Sequence, residues 1–127
     1  MNLIFDTNIV IELTRGNQAV IDILKNQDMK IKPYITIINY SELLYGVLGT
    51  KKEIDFKKFL ENNFSLLTIT RKSAENFAKI KHELKDKGKI IPDLDIYIAA
   101  IALDIKAKVL TGDKHFTYIK GLNLKII

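Results

Sequence analysis

The sequence predicts a three-layer α/β/α sandwich with a mostly parallel central sheet, built as a single domain over residues 1–127. Two observations predict this fold class. Short apolar runs alternate along the chain with longer segments in which apolar residues recur at helical spacing. Two of the short runs are followed by an acidic residue, either immediately or within three residues, at the positions where strands of such sheets end. We therefore interpret the short runs as strands and the longer segments as helices that cover both faces of the sheet.

The first part of the chain predicts a strand followed by two helices. The apolar run at residues 2–5 is closed by Asp6, so a first strand is expected to end there. An apolar pattern resumes at residues 9–13, and the Gly-Asn pair at residues 16–17 separates it from a second short helix at residues 19–25.

The second strand is expected within residues 29–36, centred on residues 34–35. Its last residue, Thr36, is of a type that caps helices, and a helix is predicted over residues 37–48 because Gly49 can end it. This helix is apolar on almost every face and carries a single charged side chain.

Two further helices with a strand between them follow. The pattern predicts a charged helix at residues 51–63, a strand at residues 65–69 and a helix at residues 71–87 that begins at Thr70 and ends before Gly88. The inward-facing residues are predicted to be Ile54, Phe56, Phe59 and Leu60 in the first helix and Ala74, Phe77, Ala78 and Leu84 in the second.

The stretch around which the chain is organised is PDLDIYIAAIALDIKAKVLTGDKHF, residues 92–116. Pro92 cannot continue a preceding helix, and Asp93 has the short acceptor side chain of a helix N-cap. Asp95 then lies in the first turn, at the head of a stripe of apolar and small residues that should face a neighbouring layer. That stripe consists of Ile98, Ala99 and Ala102.

The end of the chain predicts two strands. A short strand at residues 108–110 is followed by the turn of residues 111–113, which places Asp113 where a strand of an α/β sheet ends. A connector at residues 114–119 leads to a last strand at residues 124–127.

Composition excludes several classes of protein and of site. The chain is 47% hydrophobic and 28% charged, which is ordinary for a soluble globular protein, and its apolar runs are shorter than a membrane span. Asp6 and Glu12 interrupt the N-terminal apolar segment, so no signal peptide is predicted and a cytoplasmic location is expected. The sequence contains no cysteine, which excludes disulfides, thiolate metal sites and cysteine nucleophiles.

The formal net charge of +5 indicates a basic exterior. If several acids lie inside the protein, the positive charge of the exterior is larger still. A basic surface around an acidic centre suits a polyanionic ligand, although a lysine-rich composition alone gives the same balance. The lysines of the helix at residues 71–87 are interpreted as a solvated face, with contact to phosphates as the alternative.

Four acids occupy unusual positions for solvated side chains: Asp6, Glu42, Asp95 and Asp113. Asp6 could instead cap a helix or form a turn, and Glu42 could reach solvent past the edge of its helix. If the four carboxylates meet, they repel one another unless a cation binds among them. Mg²⁺ or Mn²⁺ fits oxygen ligands better than Zn²⁺ does, and neither His82 nor His115 is well placed as a ligand.

These residues lie in four segments that resemble the motifs of the PIN-domain ribonucleases, especially the toxin of VapBC-type toxin-antitoxin pairs. The segments are FDTNIVIEL, YSELLYG, DLDIYIAAIAL and VLTGDKHF, in the family's order over nearly the whole chain. The residues that match the family's motif positions are Asp6 with Thr7 and Asn8, Glu42 after Ser41, Asp95, and Asp113 after Thr111. Asp93 is either an auxiliary ligand or a helix cap.

The resemblance implies metal-dependent cleavage of RNA by water, which leaves a 5′-phosphate. It implies that Asp6, Glu42 and Asp95 hold Mg²⁺ or Mn²⁺ with the help of Asp113, and that a small antitoxin protein binds over the apolar helices. The alternatives are an RNA-processing nuclease outside a toxin-antitoxin pair and a catalytically weak, RNA-binding scaffold domain.

A homodimer is also predicted, because the segments at residues 43–48 and 54–60 offer more apolar surface than one small sheet can cover. Tyr40 and Tyr45 are candidate anchors for such an interface or for the antitoxin, and core packing is their alternative role.

Overall fold

A computed structural model describes residues 2–26 and 32–127 and confirms the predicted three-layer α/β/α architecture. The strands are β1 (Leu3–Phe5), β2 (Tyr34–Thr36), β3 (Ser65–Leu67), β4 (Lys108–Thr111) and β5 (Asn123–Ile126). The helices are α1 (Thr7–Thr14), α2 (Gln18–Lys25), α3 (Ile37–Val47), α4 (Glu53–Asn63), α5 (Arg71–Asp86) and α6 (Asp93–Ile105), and a 3₁₀ helix spans Lys114–Tyr118.

The strands of the described residues form one parallel sheet in the order β3-β2-β1-β4-β5. From β1 the chain moves outward through β2 to β3 and then returns to the other side of β1 to form β4 and β5. The direction of winding therefore reverses between β1 and β4, which pair in the register Ile4 to Val109 and Phe5 to Leu110. In open α/β sheets, ligands bind outside the carboxyl ends of the strands at such a reversal.

Alternate residues of the central strands face the two helical layers. Phe5 and Leu110 belong to a buried cluster with residues of α1 to α4, whereas Ile4 and Val109 pack with Ala102 of α6. This alternation is the period of two expected for strands that are covered on both faces. The packing of both faces fixes the register of β1 and β4, and with it the positions of the residues that follow them.

The predicted helix starts at Thr36 and Thr70 are confirmed, and each is a capping box. Thr36 accepts a hydrogen bond from the backbone of Asn39, and the Asn39 side chain accepts one from the backbone of Thr36. Thr70 and Ser73 exchange the same pair of bonds at the start of α5. These reciprocal bonds satisfy amide groups that the first turn of a helix leaves without partners.

Several predicted faces were wrong, although the helices themselves were predicted correctly. Ile54 was predicted to face inward, but it is 66% exposed. Ala74 and Ala78 are exposed as well, and the buried face of α5 carries Ser73 and Ile80 together with Leu84. Of the strand expected within residues 29–36, residues 29–31 lie outside the described residues.

Helix α3, which is apolar on almost every face, is not buried on every side. Leu43 is buried, but Glu42 is exposed and Tyr45 is 85% exposed. Tyr40, the other candidate anchor, is partly buried against the core, as its alternative role required. Within residues 2–26 and 32–127, no helix has both the length and the apolar character needed to cross a membrane.

Candidate active site

Asp6 lies at the carboxyl end of the central strand β1 and is also the N-cap of α1. It is only 5% exposed, and it accepts hydrogen bonds from four donors. Those bonds come from the Thr7 amide at 2.9 Å, Asn39 Nδ2 at 3.1 Å, Asn8 Nδ2 at 3.1 Å and Thr111 Oγ1 at 2.6 Å. The two roles proposed for Asp6, strand end and helix cap, therefore coincide in one rigidly held carboxylate.

Glu42 is positioned by a chain of hydrogen bonds that begins in the buried interior. The side-chain oxygen of Asn39 accepts bonds from the amide and hydroxyl of Thr36, which leaves its Nδ2 group to donate. Asn39 Nδ2 donates to Thr7 Oγ1 at 3.1 Å as well as to Asp6, and Thr7 Oγ1 donates in turn to Glu42 Oε1 at 2.9 Å. Glu42 thus lies at the exposed edge of α3, as one interpretation of its sequence position allowed, and a hydroxyl group contacts it.

Asp95 lies in the first turn of α6 and is partly buried, and the residues of its predicted stripe are fully buried beneath it. The pKa of the Asp95 carboxyl is raised from the ordinary 3.8 to about 6, mainly by burial and in addition by the negative charges of other acids. Those acids, in decreasing order of effect, are Asp6, Asp113 and Glu42. His115 acts in the opposite direction. The four acids singled out in the sequence therefore interact electrostatically across one site.

Asp113 follows β4 and caps the 3₁₀ helix. Its Oδ1 atom accepts a hydrogen bond from the His115 amide at 2.9 Å and lies 3.0 Å from His115 Nδ1. The turn before it is tied to the first motif, because Asn8 Oδ1 accepts a bond from the Gly112 amide at 2.8 Å.

Asp93 and Ser41 lie apart from these hydrogen bonds. The prediction that Asp93 caps α6 was wrong, since the helix is capped by Pro92 without a side-chain hydrogen bond. Asp93 instead pairs with Lys81 at 3.0 Å, with both side chains more than half exposed. The hydroxyl of Ser41 donates to the carbonyl of Ile37 one turn back along α3.

Sequence analysis missed Asn39, which is fully buried and joins three of the residues named above. A signal for it exists in the sequence. A polar residue three positions after a Thr N-cap forms a capping box, and in a helix this apolar its side chain must find buried partners.

The donor set of the site consists of carboxylate oxygens, which suit a hard divalent cation. In the described parts of the chain, no three Asp, Glu or His side chains are arranged so that they could hold a metal ion together. Mg²⁺ is commonly bound by one or two carboxylates and keeps several of its waters. The repulsion that raises the pKa of Asp95 would be relieved by a cation in this position, so the residues fit Mg²⁺ or Mn²⁺ in chemical terms.

A groove of about 680 Å³ runs from Glu42 between α1, α3 and α4. Its walls include the apolar side chains of Leu43, Val47 and Phe56, and the basic Lys51 and Lys52 lie at its rim. The exposed Tyr45, Leu48 and Ile54 belong to the same two helices or to the turn between them. The acidic site therefore opens onto a largely apolar surface with basic residues at its border.

Comparison with known proteins relates this chain to one family. The sequence model of the PIN domain matches residues 3–122. Ribonuclease VapC of Rickettsia bellii is 32% identical over 131 residues, which cover 98% of this chain and 95% of that protein. Ribonuclease VapC1 of Methanocaldococcus jannaschii is 34% identical over 93 residues, which cover 72% of this chain and 68% of that protein.

Solved structures agree with the fold. VapBC2 from Rickettsia felis, bound to a DNA fragment from the promoter, contains a chain with a TM-score of 0.84 and 26% identity, which covers 100% of this chain and 99% of its own length. VapBC-1 from nontypeable Haemophilus influenzae gives a TM-score of 0.88 at 25% identity, with coverage of 99% and 98%.

Proposed function

The chain belongs to the PIN-domain family, and from this premise we propose that it is a metal-dependent endoribonuclease that acts as the toxin of a toxin-antitoxin pair. The observation that supports the proposal best is the rise of the Asp95 pKa through burial and the charges of Asp6, Asp113 and Glu42, beside the point where the sheet reverses its winding. The relatives named ribonuclease VapC cover almost the whole chain, which supports the same activity here.

In this proposal Mg²⁺ or Mn²⁺ would bind among Asp6, Glu42, Asp95 and Asp113, with one or two of these carboxylates as its direct protein ligands. The ion supplies activation of a water molecule and neutralisation of charge on the phosphate. The water oxygen forms a bond to phosphorus, the bond from phosphorus to the 3′ oxygen of the preceding nucleotide breaks, and the products carry a 5′-phosphate and a 3′-hydroxyl. The 3′ oxygen takes up a proton as it leaves.

The chain's own contribution is to hold charge in fixed positions before RNA arrives. The four hydrogen bonds to Asp6 and the bond from Thr7 to Glu42 restrict both carboxylates, so little reorganisation is needed during the reaction. The net charge of +5 attracts RNA to the surface around the acids. The fixed carboxylates support a nuclease rather than a scaffold domain, which has no need for mutually repelling acids, whereas the net charge suits either.

The proposed partners are RNA as substrate, a second copy of the chain and a small antitoxin. The groove at Glu42 supports the antitoxin, because a peptide lying in it would reach the acids directly. The matched solved structures are of VapBC2 and VapBC-1 from other organisms, which supports an antitoxin partner of the VapB kind. Such a pair would act in the cytoplasm, where RNA is available.

The test compares cleavage of several structured RNAs by the wild type, Asp95→Asn and Asp93→Asn. Wild-type cleavage should require Mg²⁺ or Mn²⁺ and stop with EDTA, and Asp95→Asn should reduce it by orders of magnitude. Asp93→Asn is the matched control, because it removes an equal charge two residues away that pairs with Lys81 in solvent.

Binding of RNA without metal-dependent cleavage would favour the scaffold alternative. Equal damage from Asp93→Asn and Asp95→Asn would contradict the assignment of the third acid. Cleavage without toxicity in cells, and with no antitoxin partner, would favour an RNA-processing nuclease.

A further inference from the structure

An exposed strip of aromatic and basic side chains begins beside the acidic site. It consists of His115, Tyr118 and Lys89, which we call the 89/115/118 strip. The ring centroids of His115 and Tyr118 are 6.4 Å apart, and Lys89 Nζ lies 4.6 Å from the centre of the Tyr118 ring. The His115 side chain is 60% exposed and Tyr118 is 42% exposed, so both rings are open to a ligand.

The 3₁₀ helix fixes the direction of the strip. Residues three apart lie one above the other in a 3₁₀ helix, so His115 and Tyr118 share a face. The Asp113 carboxylate holds the start of this helix through the His115 amide and ring. Phe116 and Ile119 are buried on its other side, which anchors it to the core. The strip therefore leads away from Asp113 on a rigid support.

Lys89 reaches the strip from the connection between α5 and α6, the segment that leads to Asp95. Beside it lies a recess of about 270 Å³, whose lining includes Lys81, Lys85 and the 91% exposed Ile90. Lys81 is paired with Asp93, whereas Lys85 adds positive charge to the recess and Lys89 lies against the Tyr118 ring. Aromatic faces alternating with lysines are the chemistry that binds single-stranded nucleic acid.

We propose that the 89/115/118 strip binds the unpaired nucleotides of the RNA next to the scissile phosphate. A base stacks on Tyr118, and the Lys89 ammonium, which already lies against that ring, pairs with the adjoining phosphate. His115 bridges the strip and the acidic site. Such a surface favours single-stranded or looped RNA, because bases inside a duplex do not expose a face for stacking. This inference rests on the proposed ribonuclease function and specifies the form of its substrate.

The test measures binding of a fluorescent single-stranded RNA of mixed sequence by anisotropy, in the cleavage-deficient Asp95→Asn protein. Tyr118→Leu should weaken binding about tenfold or more, because stacking of a base on an aromatic ring is lost. Tyr118→Phe retains the ring and should bind within about twofold of the parent. Thermal unfolding of each variant establishes that the fold is kept.

The basic part of the strip is tested by salt dependence. Lys89→Gln should lower the slope of log affinity against log salt by about 0.7, the value for one phosphate contact on a single strand. Lys72→Gln is the matched control, since Lys72 is an exposed lysine at the start of α5. This end of α5 lies beside the end of α6 that is far from Asp95, because Thr70 contacts Asp104 there. Its slope should equal that of the parent.

The outcomes separate this inference from the function on which it rests. If the wild type cleaves RNA while Tyr118→Leu and Lys89→Gln bind RNA like the parent, the RNA-binding role of the strip is wrong and the proposed ribonuclease function is retained. If the wild type neither binds nor cleaves RNA, the proposed function fails and the strip with it. If Tyr118→Leu leaves RNA affinity unchanged but weakens binding of an antitoxin, the strip is a protein interface, and the inference is overturned.

Discussion

Asp95 makes the stability of the folded chain depend on pH in an unusual direction. Its pKa is about 6 in the folded protein, against 3.8 ordinarily, mainly through burial and then through the charges of Asp6, Asp113 and Glu42. Below pH 4 the carboxyl is protonated in the folded and the unfolded protein, so it does not lower the free energy of unfolding. Above pH 6 it is ionised in both states, and the full destabilisation of the folded protein is present. Without metal, we expect this group to lower the free energy of unfolding as pH rises from 4 to 6.

The size of this effect is about 1 to 2 kcal/mol, because a pKa difference of about two corresponds to about 3 kcal/mol and contact with water reduces it. Comparing urea unfolding of the wild type and Asp95→Asn in EDTA isolates the group. The two proteins should be similar at pH 4, and the variant should be more stable at pH 7. Equal stability at pH 7 would contradict the raised pKa of Asp95 in the folded protein. Mg²⁺ should then stabilise the wild type more than the variant.

Thr7 offers a second test at the scale of one side chain. Its hydroxyl accepts from Asn39 and donates to Glu42, so Thr7→Val should free Glu42 to move while keeping the shape of the side chain. We expect the Mg²⁺ concentration for half-maximal cleavage to rise about tenfold or more, as when other groups that orient metal ligands are removed. Thr7→Ser keeps the hydroxyl and should behave like the wild type, and an equal loss in both variants would contradict the role given to this bond.

Site residues that are defined by their position at a strand end could be predicted from the sequence. Those that are defined by contacts between side chains could not. Asp6 and Asp113 were placed correctly because strand ends can be read from an apolar pattern, and the carboxyl ends of parallel strands share one edge. Asn39 was missed because its importance lies in contacts between residues about 33 positions apart in sequence. Asp93 was interpreted wrongly because an exposed Lys81, twelve residues earlier, competes for its carboxylate.

At the scale of elements, the close approach of α6 to the sheet depends on small residues. Ala102 is fully buried and packs with Ile4 and Val109 of the central strands. We expect Ala102→Leu to lower the free energy of unfolding by about 1 to 3 kcal/mol, because the added atoms have no space. Urea unfolding measures this, with Ala78→Leu as the matched control, since Ala78 is exposed on α5. Similar losses in both variants would contradict tight packing beneath α6.

Helix starts could be predicted from the sequence, but the inward faces of the helices could not, because these faces depend on packing between elements. Helix starts at Thr36 and Thr70 were predictable because a cap is a local interaction within four residues. The inward face of a helix depends instead on what lies opposite. Ala74 and Ala78 suited an inward stripe in sequence, but α6 packs against the side of α5 that carries Ile80 and Asn76, whose amide donates to the Ala100 carbonyl.

At the scale of the molecule, one topological feature places Asp6 and Asp113 at neighbouring strand ends. Winding reverses between β1 and β4, so the turns after both strands lie side by side, and α6 enters with Asp95 at its first turn. The order of the strands was not predicted from the sequence, since several orders bring these chain segments to one edge of a parallel sheet. The electrostatic convergence at Asp95 therefore depends on information that only the folded chain contains.

The surface of α3 and α4 leads to the last prediction, which concerns self-association. Tyr45, Leu48 and Ile54 are exposed by 85%, 67% and 66%, and they belong to α3, α4 or the turn between them, as do several residues that line the groove at Glu42. Apolar residues gathered in this way are typical of a protein interface. We expect a homodimer at high micromolar concentration by light scattering, and Ile54→Lys should convert it to a monomer because a lysine charge would be buried at the contact.

The matched control for this prediction is Ile90→Lys, which introduces the same change at a more exposed isoleucine between α5 and α6. Ile90→Lys should leave the dimer intact if α3 and α4 form the contact. A monomeric wild type at high micromolar concentration would contradict the prediction, and a dimer broken by Ile90→Lys alone would move the interface to the other helical layer. Because the groove at Glu42 lies on the α3 and α4 side, a contact there would also place a second copy of the chain next to the acidic site.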